Sequence, residues 1–213
     1  MDRQIDPKYY AYRELSYRQR LFGHIKTVCT HKKYVRYGCF RMGLYLQGIF
    51  HDMSKFSPVE FHRSVMFYSG QFSPNSSDRM ITGCSISWMH HKGRNRHHYE
   101  YWTDYTPSIE PYIMGCKMPL KYVAEMVADR YAACVAYNKD TYSQGDAWKY
   151  YARSREHIVM HDDTRLVLEQ ALSIMRDEGE DVAFAYMKGL LKITKGRDYT
   201  AESLGIDSTK IVY

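Results

Sequence analysis

The chain has 213 residues, 45% of them hydrophobic and 25% charged, and carries a formal net charge of +6. That length suits one domain with a sizeable core, and the composition excludes a disordered, collagen-like or low-complexity protein. The modest basic excess favours anionic partners, a bias met as well by phosphorylated small molecules as by nucleic acid.

The N-terminal stretch MDRQIDPKYYAYRELSYRQR has no apolar run and is not expected to be a secretory signal. No run approaches the roughly 20 apolar residues that span a bilayer. Cys29, Cys39, Cys84, Cys116 and Cys134 are scattered, odd in number and never spaced C-x-x-C. A disulfide framework and a cysteine zinc site are therefore not expected, and reduced thiols in a cytoplasm are.

The periodicity is helical nearly throughout, which predicts a single all-α domain of seven or eight helices. A first helix is expected over about 7–30 and a second over 35–51. Ser57 as a cap with Pro58 after it opens a third, to about Tyr68. SGQFSPNSS reads as a loop, and a fourth helix follows over about 77–91. Residues 90–118, with Gly93, Pro107, Pro111 and Gly115, have no sustained period and read as a long functional loop. Pro119 opens a fifth helix, LKYVAEMVADRYAACVAYN. Three more are expected over 146–160, 164–176 and 181–195, stopped by Gly179 and Gly196. No strand is expected. The helices of 146–196 form an extension to a core over about 20–135, and 197–213 is a polar tail.

Polar heads interrupt the apolar stripes. His24 shares a face with Tyr17, Leu21 and Val28; His51 with Phe40, Leu44 and Gln47; Asp129 with Tyr122, Met126 and Ala133. A lone core histidine is usually just hydrogen-bonded, but three polar residues on helices that can face one another suggest a shared site, because a buried carboxylate needs a partner or a metal. The second helix ends in HDMSK. Adjacent His51 and Asp52 can converge on one ion at a helix end, and Lys55 returns to that side, suited to a phosphate oxygen. HHKGRNRHHYEYW then crowds four histidines into nine residues.

The order His24, His51-Asp52, histidines at 90–98 and Asp129 resembles the H…HD…H…H…D signature of the HD-domain superfamily of metal-dependent phosphohydrolases, an all-α fold. HDMSKFSPVEF, WMHHKGRNRHHYEYW and EMVADR are more specifically similar to a group of bacterial and phage proteins on that core that has no assigned activity. The resemblance covers about residues 20–135. It implies that His24, His51, Asp52 and Asp129 bind one divalent transition metal, Mn, Fe, Co, Ni or Zn. His91 and His97 would bind a second ion bridged by Asp52, or else form a hydrogen-bonding wall around a one-metal site. Asp52 and Lys55 would act in catalysis, with Lys55, Arg94, Asn95 and His98 near substrate and Glu125 orienting a ligand.

The implied activity is hydrolysis of a nucleotide or similar small phosphate ester by a metal-activated water. A di-iron oxygenase on the same fold, or a non-catalytic module binding nucleotide or nucleic acid, are the rivals; nucleic acid is disfavoured and no membrane is expected. The second cluster, His157, His161 and Asp162, lacks the glutamate of HExxH and reads as a helix junction. His31 and His62 read as surface residues.

Overall fold

The computed structural model describes residues 5–107, 110 and 112–211. Among these are nine α-helices, seven short 3-10 helices and one two-stranded antiparallel hairpin. The protein is all-α, as expected.

A 3-10 segment, Pro7–Glu14, precedes α1, Tyr17–Met42. Ser16 caps α1 through a reciprocal box in which its Oγ accepts from the Gln19 amide and Gln19 accepts from the Ser16 amide. The stop expected near Thr30 does not occur, because nothing in the THKKYV stretch breaks a helix. The stop is Gly43 at φ 84°, whose N–H reaches back to Cys39 and Phe40 carbonyls. The rest of the expected second helix is the short α2, Tyr45–Phe50. Phe40 is exposed and lies across that break, so it shares no stripe with His51.

Helix α3, Pro58–Met66, starts as expected, with the Ser57 side chain accepting from the Glu60 amide. The helix expected over 77–91 is two, α4 (Pro74–Thr82) and α5 (Ile86–Lys92), separated by left-handed Gly83 at φ 87°. The long loop contains β1 (Thr103–Tyr105) and β2 (Ile113–Gly115), paired Thr103 to Gly115. No strand was legible there because each spans three residues and β1 is wholly exposed, leaving no alternation to read. Pro111 lies outside the described residues.

Helix α6, Leu120–Asn138, is the central element, buried on nearly every side. Then come α7 (Asp146–Ala152), α8 (Asp162–Glu178) and α9 (Glu180–Thr194). α7 ends eight residues before Met160, and a 3-10 turn at Arg155–His157 fills part of that gap. One apolar cluster joins Val35, Cys39 and Met42 of α1 to Val123, Val127 and Tyr131 of α6, Leu168 and Leu172 of α8, and Phe184 and Met187 of α9. Close approach is built in at Gly38, where a Cβ would lie 2.8 Å from Phe184 and 3.0 Å from the Ala128 methyl. The segment read as a polar tail packs onto this core. Tyr199, Ala201, Ile206 and Ile211 are buried, and the Tyr199 hydroxyl donates to the Met118 carbonyl at 2.8 Å. These packed helices hold α1 and α6 side by side, which fixes the two walls of the site described next.

Candidate metal centre

The middle of α1 and the middle of α6 face a turn that supplies two adjacent functional side chains. α2 ends at Phe50; His51 is extended (φ −49°, ψ 130°) and Asp52 is left-handed at φ 52°. That reversal, tolerated better by Asp than by most residues, aims neighbouring side chains into one space where a continuing helix would have separated them. The Lys32 ammonium holds the turn by donating to the His51 carbonyl.

Asp52 is the hub. Its Oδ2 lies 3.1 Å from His51 Nε2, 3.7 Å from His31 Nε2 and 2.6 Å from the Lys55 ammonium. Its Oδ1 lies 3.3 Å from His91 Nε2 and 3.4 Å from His97 Nε2. Asp129 from α6 closes the first side, 3.0 Å from His31 Nε2 and 3.4 Å from His51 Nε2. Metal-compatible groups within 4.8 Å of one another therefore overlap on one carboxylate: His31, His51, Asp52 and Asp129 on one oxygen, and Asp52, His91, His97 and His98 on the other. A third, His51, His97 and Glu125, joins them from behind.

The geometry of the ring nitrogens points the same way. The Nε2 atoms of His31, His51, His97 and His98 and both oxygens of Asp52 are buried and make no well-aligned hydrogen bond; those of His31, His51 and Asp52 meet their neighbours only as close ion pairs, and the Nε2 of His98 meets none. Native proteins rarely leave such atoms unsatisfied, and mixed imidazole and carboxylate donors suit a divalent transition metal. The buried His/Asp cluster could thus hold one or two ions.

The opposite nitrogens are anchored. Glu125 Oε1 meets His51 Nδ1 at 2.9 Å and His97 Nδ1 at 3.3 Å, bracing one histidine from each group. Glu60 accepts from His91 Nδ1 at 2.8 Å and from His90 Nδ1 at 2.6 Å. The Asn95 amide donates to Ser54 Oγ and the His91 carbonyl, both at 2.8 Å, and the Trp102 indole donates to the Arg96 carbonyl. These bonds fold the loop after α5 back on itself and bring His97 and His98 beside His91. Carboxylates behind histidines fix ring orientation and raise ligand basicity.

Charge follows geometry. Burial works against ionised Asp52, yet His51, Lys55 and His91 outweigh it and hold the carboxyl well below its usual range. Asp129 is likewise held low, against burial, by His31 and His51. Burial disfavours charge on Lys55 too, but Asp52 and Asp129 push it up, so it stays an ammonium. Burial, with His97 and His91 nearby, drives His98 well below the ordinary imidazole value.

Several expectations need correction. His31, read as a surface residue, is buried on the α1 stripe His24, Val28, His31, Val35 and reaches Asp52 and Asp129. His24 lies outside all three groups, two turns earlier and about 10 Å along the helix axis. The error follows from ending the first helix at Thr30. Arg94 is exposed and meets the His90 carbonyl, and Asn95 braces the loop; neither lines the cavity. His98, assigned to substrate, falls within the second metal-compatible group, and His90 sits on Glu60 instead. Glu60 went unnoticed because Ser57-x-x-Glu60 looks like a helix capping box. No metal-compatible group among the described residues includes His157 or His161; the latter caps α8.

A cavity of about 470 Å³ opens on the cluster, lined by His31, Lys55, His91, His98 and Asp129 at one end. Phe72, Trp88, Tyr99, Tyr137 and Tyr150 supply aromatic wall, and Arg130 and Arg153 supply cations.

Fold and cluster together define an all-α protein with a buried, carboxylate-bridged histidine site able to hold metal. The chain belongs to the family of unknown function DUF5662, whose profile matches residues 20–174. That span runs from α1 into α8 and includes every residue of the cluster. No curated protein and no solved structure matches the chain.

Proposed function

We propose that the protein is a metal-dependent phosphohydrolase of the HD type, acting on a nucleotide or similar small phosphate ester. The observation that carries this reading is Asp52, whose two oxygens face two sets of histidines while an ammonium touches one of them. Divalent ions bound there would lower the pKa of a water and stabilise charge on phosphoryl oxygens.

The chain's own groups provide the rest. Lys55, charged and lining the cavity, would donate to a phosphate oxygen. Arg130, also on the cavity wall, has a buried Nε with no partner and can pair with a second oxygen. Glu125 and Glu60 hold three imidazoles with Nε2 inward, so the ligand set needs little reorganisation. In the net reaction water adds to phosphorus, the ester P–O bond breaks, and the departing oxygen takes a proton. The cavity volume lies within the range of small-molecule sites and is far too small for duplex nucleic acid.

Elemental analysis of wild-type protein beside Asp52→Ala and Asp52→Asn tests the centre; the asparagine controls for the cost of an alanine at φ 52°. We expect one or two equivalents of a transition metal, lost in both variants while helicity persists, and phosphate release from a panel of esters. Metal-free protein after reconstitution would refute the reading. Iron with redox-linked absorption and no phosphate release would favour oxygen chemistry instead.

A further inference from the structure

The histidine that the sequence placed among the ligands has a different position, and its surroundings give it a different use. His24 lines the same cavity as the metal-compatible groups, about two helical turns from His31. It is 5% exposed, and its Nε2 has no hydrogen-bond partner. Its ring is held by Phe61 at 5.5 Å and Tyr68 at 5.9 Å between centroids, and the Tyr68 hydroxyl is in turn fixed by Thr27 at 2.9 Å. A buried histidine with apolar support and an orphan nitrogen is costly unless something completes it.

The surroundings also say what completes it. Burial, helped by the nearby Lys55 ammonium, lowers the imidazole to about 4, so it is neutral at physiological pH. A neutral imidazole both donates and accepts, and it suits an uncharged polar atom. Lys55 touches the cluster through Asp52 and is also near enough to His24 to act on it electrostatically, which makes a second cation there unfavourable and favours an anion at the cluster end. The aromatic lining of the cavity favours a planar group beyond that anion.

We infer that His24 is the recognition residue of this cavity, hydrogen-bonding an uncharged polar atom on the planar heterocycle of a phosphorylated ligand, of which nucleoside monophosphates are the common case. This rests on the reading that phosphate binds at the cluster. His24 is a specificity residue and not a metal ligand.

The test is calorimetric binding to metal-reconstituted protein, using the four common nucleoside monophosphates and ribose 5-phosphate, which keeps sugar and phosphate but has no base. In the wild type at least one nucleotide binds tenfold or more tightly than ribose 5-phosphate. In His24→Phe that preference falls to within about twofold, while metal content by elemental analysis is unchanged; His24→Asn, which keeps a donor and an acceptor, retains part of it. If His24→Phe does not fold by circular dichroism, His24→Leu replaces it. No preference in the wild type, or a preference undiminished in the apolar variant, overturns the assignment. So does loss of metal from a folded His24 variant. Failure of the hydrolase reading looks different: the nucleotide binds with the stated preference and is not turned over.

Discussion

At the scale of single residues, the carboxylates behind the histidines shape the candidate metal centre as much as the histidines do. Glu125 contacts the outer nitrogens of His51 and His97, one from each group, so its effect should extend to both. Glu125→Gln should weaken metal binding about 10- to 100-fold, read by competition with a chromogenic chelator. An unchanged affinity would mean that the histidines are oriented by packing alone. His24 makes a separate prediction. Its folded value of about 4 lies below the 6.5 of an unperturbed imidazole, so the unfolded chain binds more protons between these values. The associated stability is present above pH 6.5 and is lost as pH falls towards 4, on the order of 2–3 kcal/mol. Urea midpoints of metal-free protein at pH 7 and 4.5 should differ less in His24→Phe than in the wild type. Equal slopes would show that His24 reaches solvent or a partner in solution.

At the scale of elements, glycines decide where helices stop and where chains meet. Gly43 ends α1 at φ 84°, and a Cβ there would touch nothing within 4 Å. Gly43→Ala should therefore cost only the backbone penalty, about 1 kcal/mol, in thermal or urea unfolding. Gly115 is the opposite case. A Cβ on β2 would come within 2.5 Å of the His161 amide nitrogen, and backbone cannot swing aside as a side chain can. Gly115→Ala should cost more than Gly43→Ala, roughly 1–3 kcal/mol, and loosen the hairpin from the start of α8. If the order of the two variants is reversed, the hairpin is not seated there. The same reasoning explains the misplaced first boundary: HKK after Thr30 looks like the basic last turn of a helix, yet only Gly43 provides a left-handed stop.

At the scale of the whole molecule, the cluster ties together parts of the chain that are far apart in sequence. α1 gives His31, the turn after α2 gives His51 and Asp52, α5 and its loop give His91, His97 and His98, and α6 gives Asp129. An ion held in common should stabilise all of them against unfolding. Chelator should lower the melting temperature of wild-type protein by several degrees and have no effect on Asp52→Ala. A melting temperature indifferent to chelator would mean that α8 and α9 hold α1 against α6 unaided. No described helix is long and apolar enough to cross a membrane.

The helical class, the capping of α3 and the ends of α8 and α9 were legible in the chain, because they are local or set by periodicity. Periodicity also singled out His51 and Asp129 as polar residues expensive to bury alone, whereas the grouping of Asp52 and the 90–98 histidines with them was what the resemblance implied. The choice of His31 over His24 was beyond the sequence, since both lie on one stripe seven residues apart and only packing against α6 selects between them. Glu60 and the two-sided use of Asp52 were equally hidden. They depend on which distant side chains meet, and that is fixed by the α1–α6 contact and by a left-handed residue after α2, neither of which leaves a periodic trace in the chain.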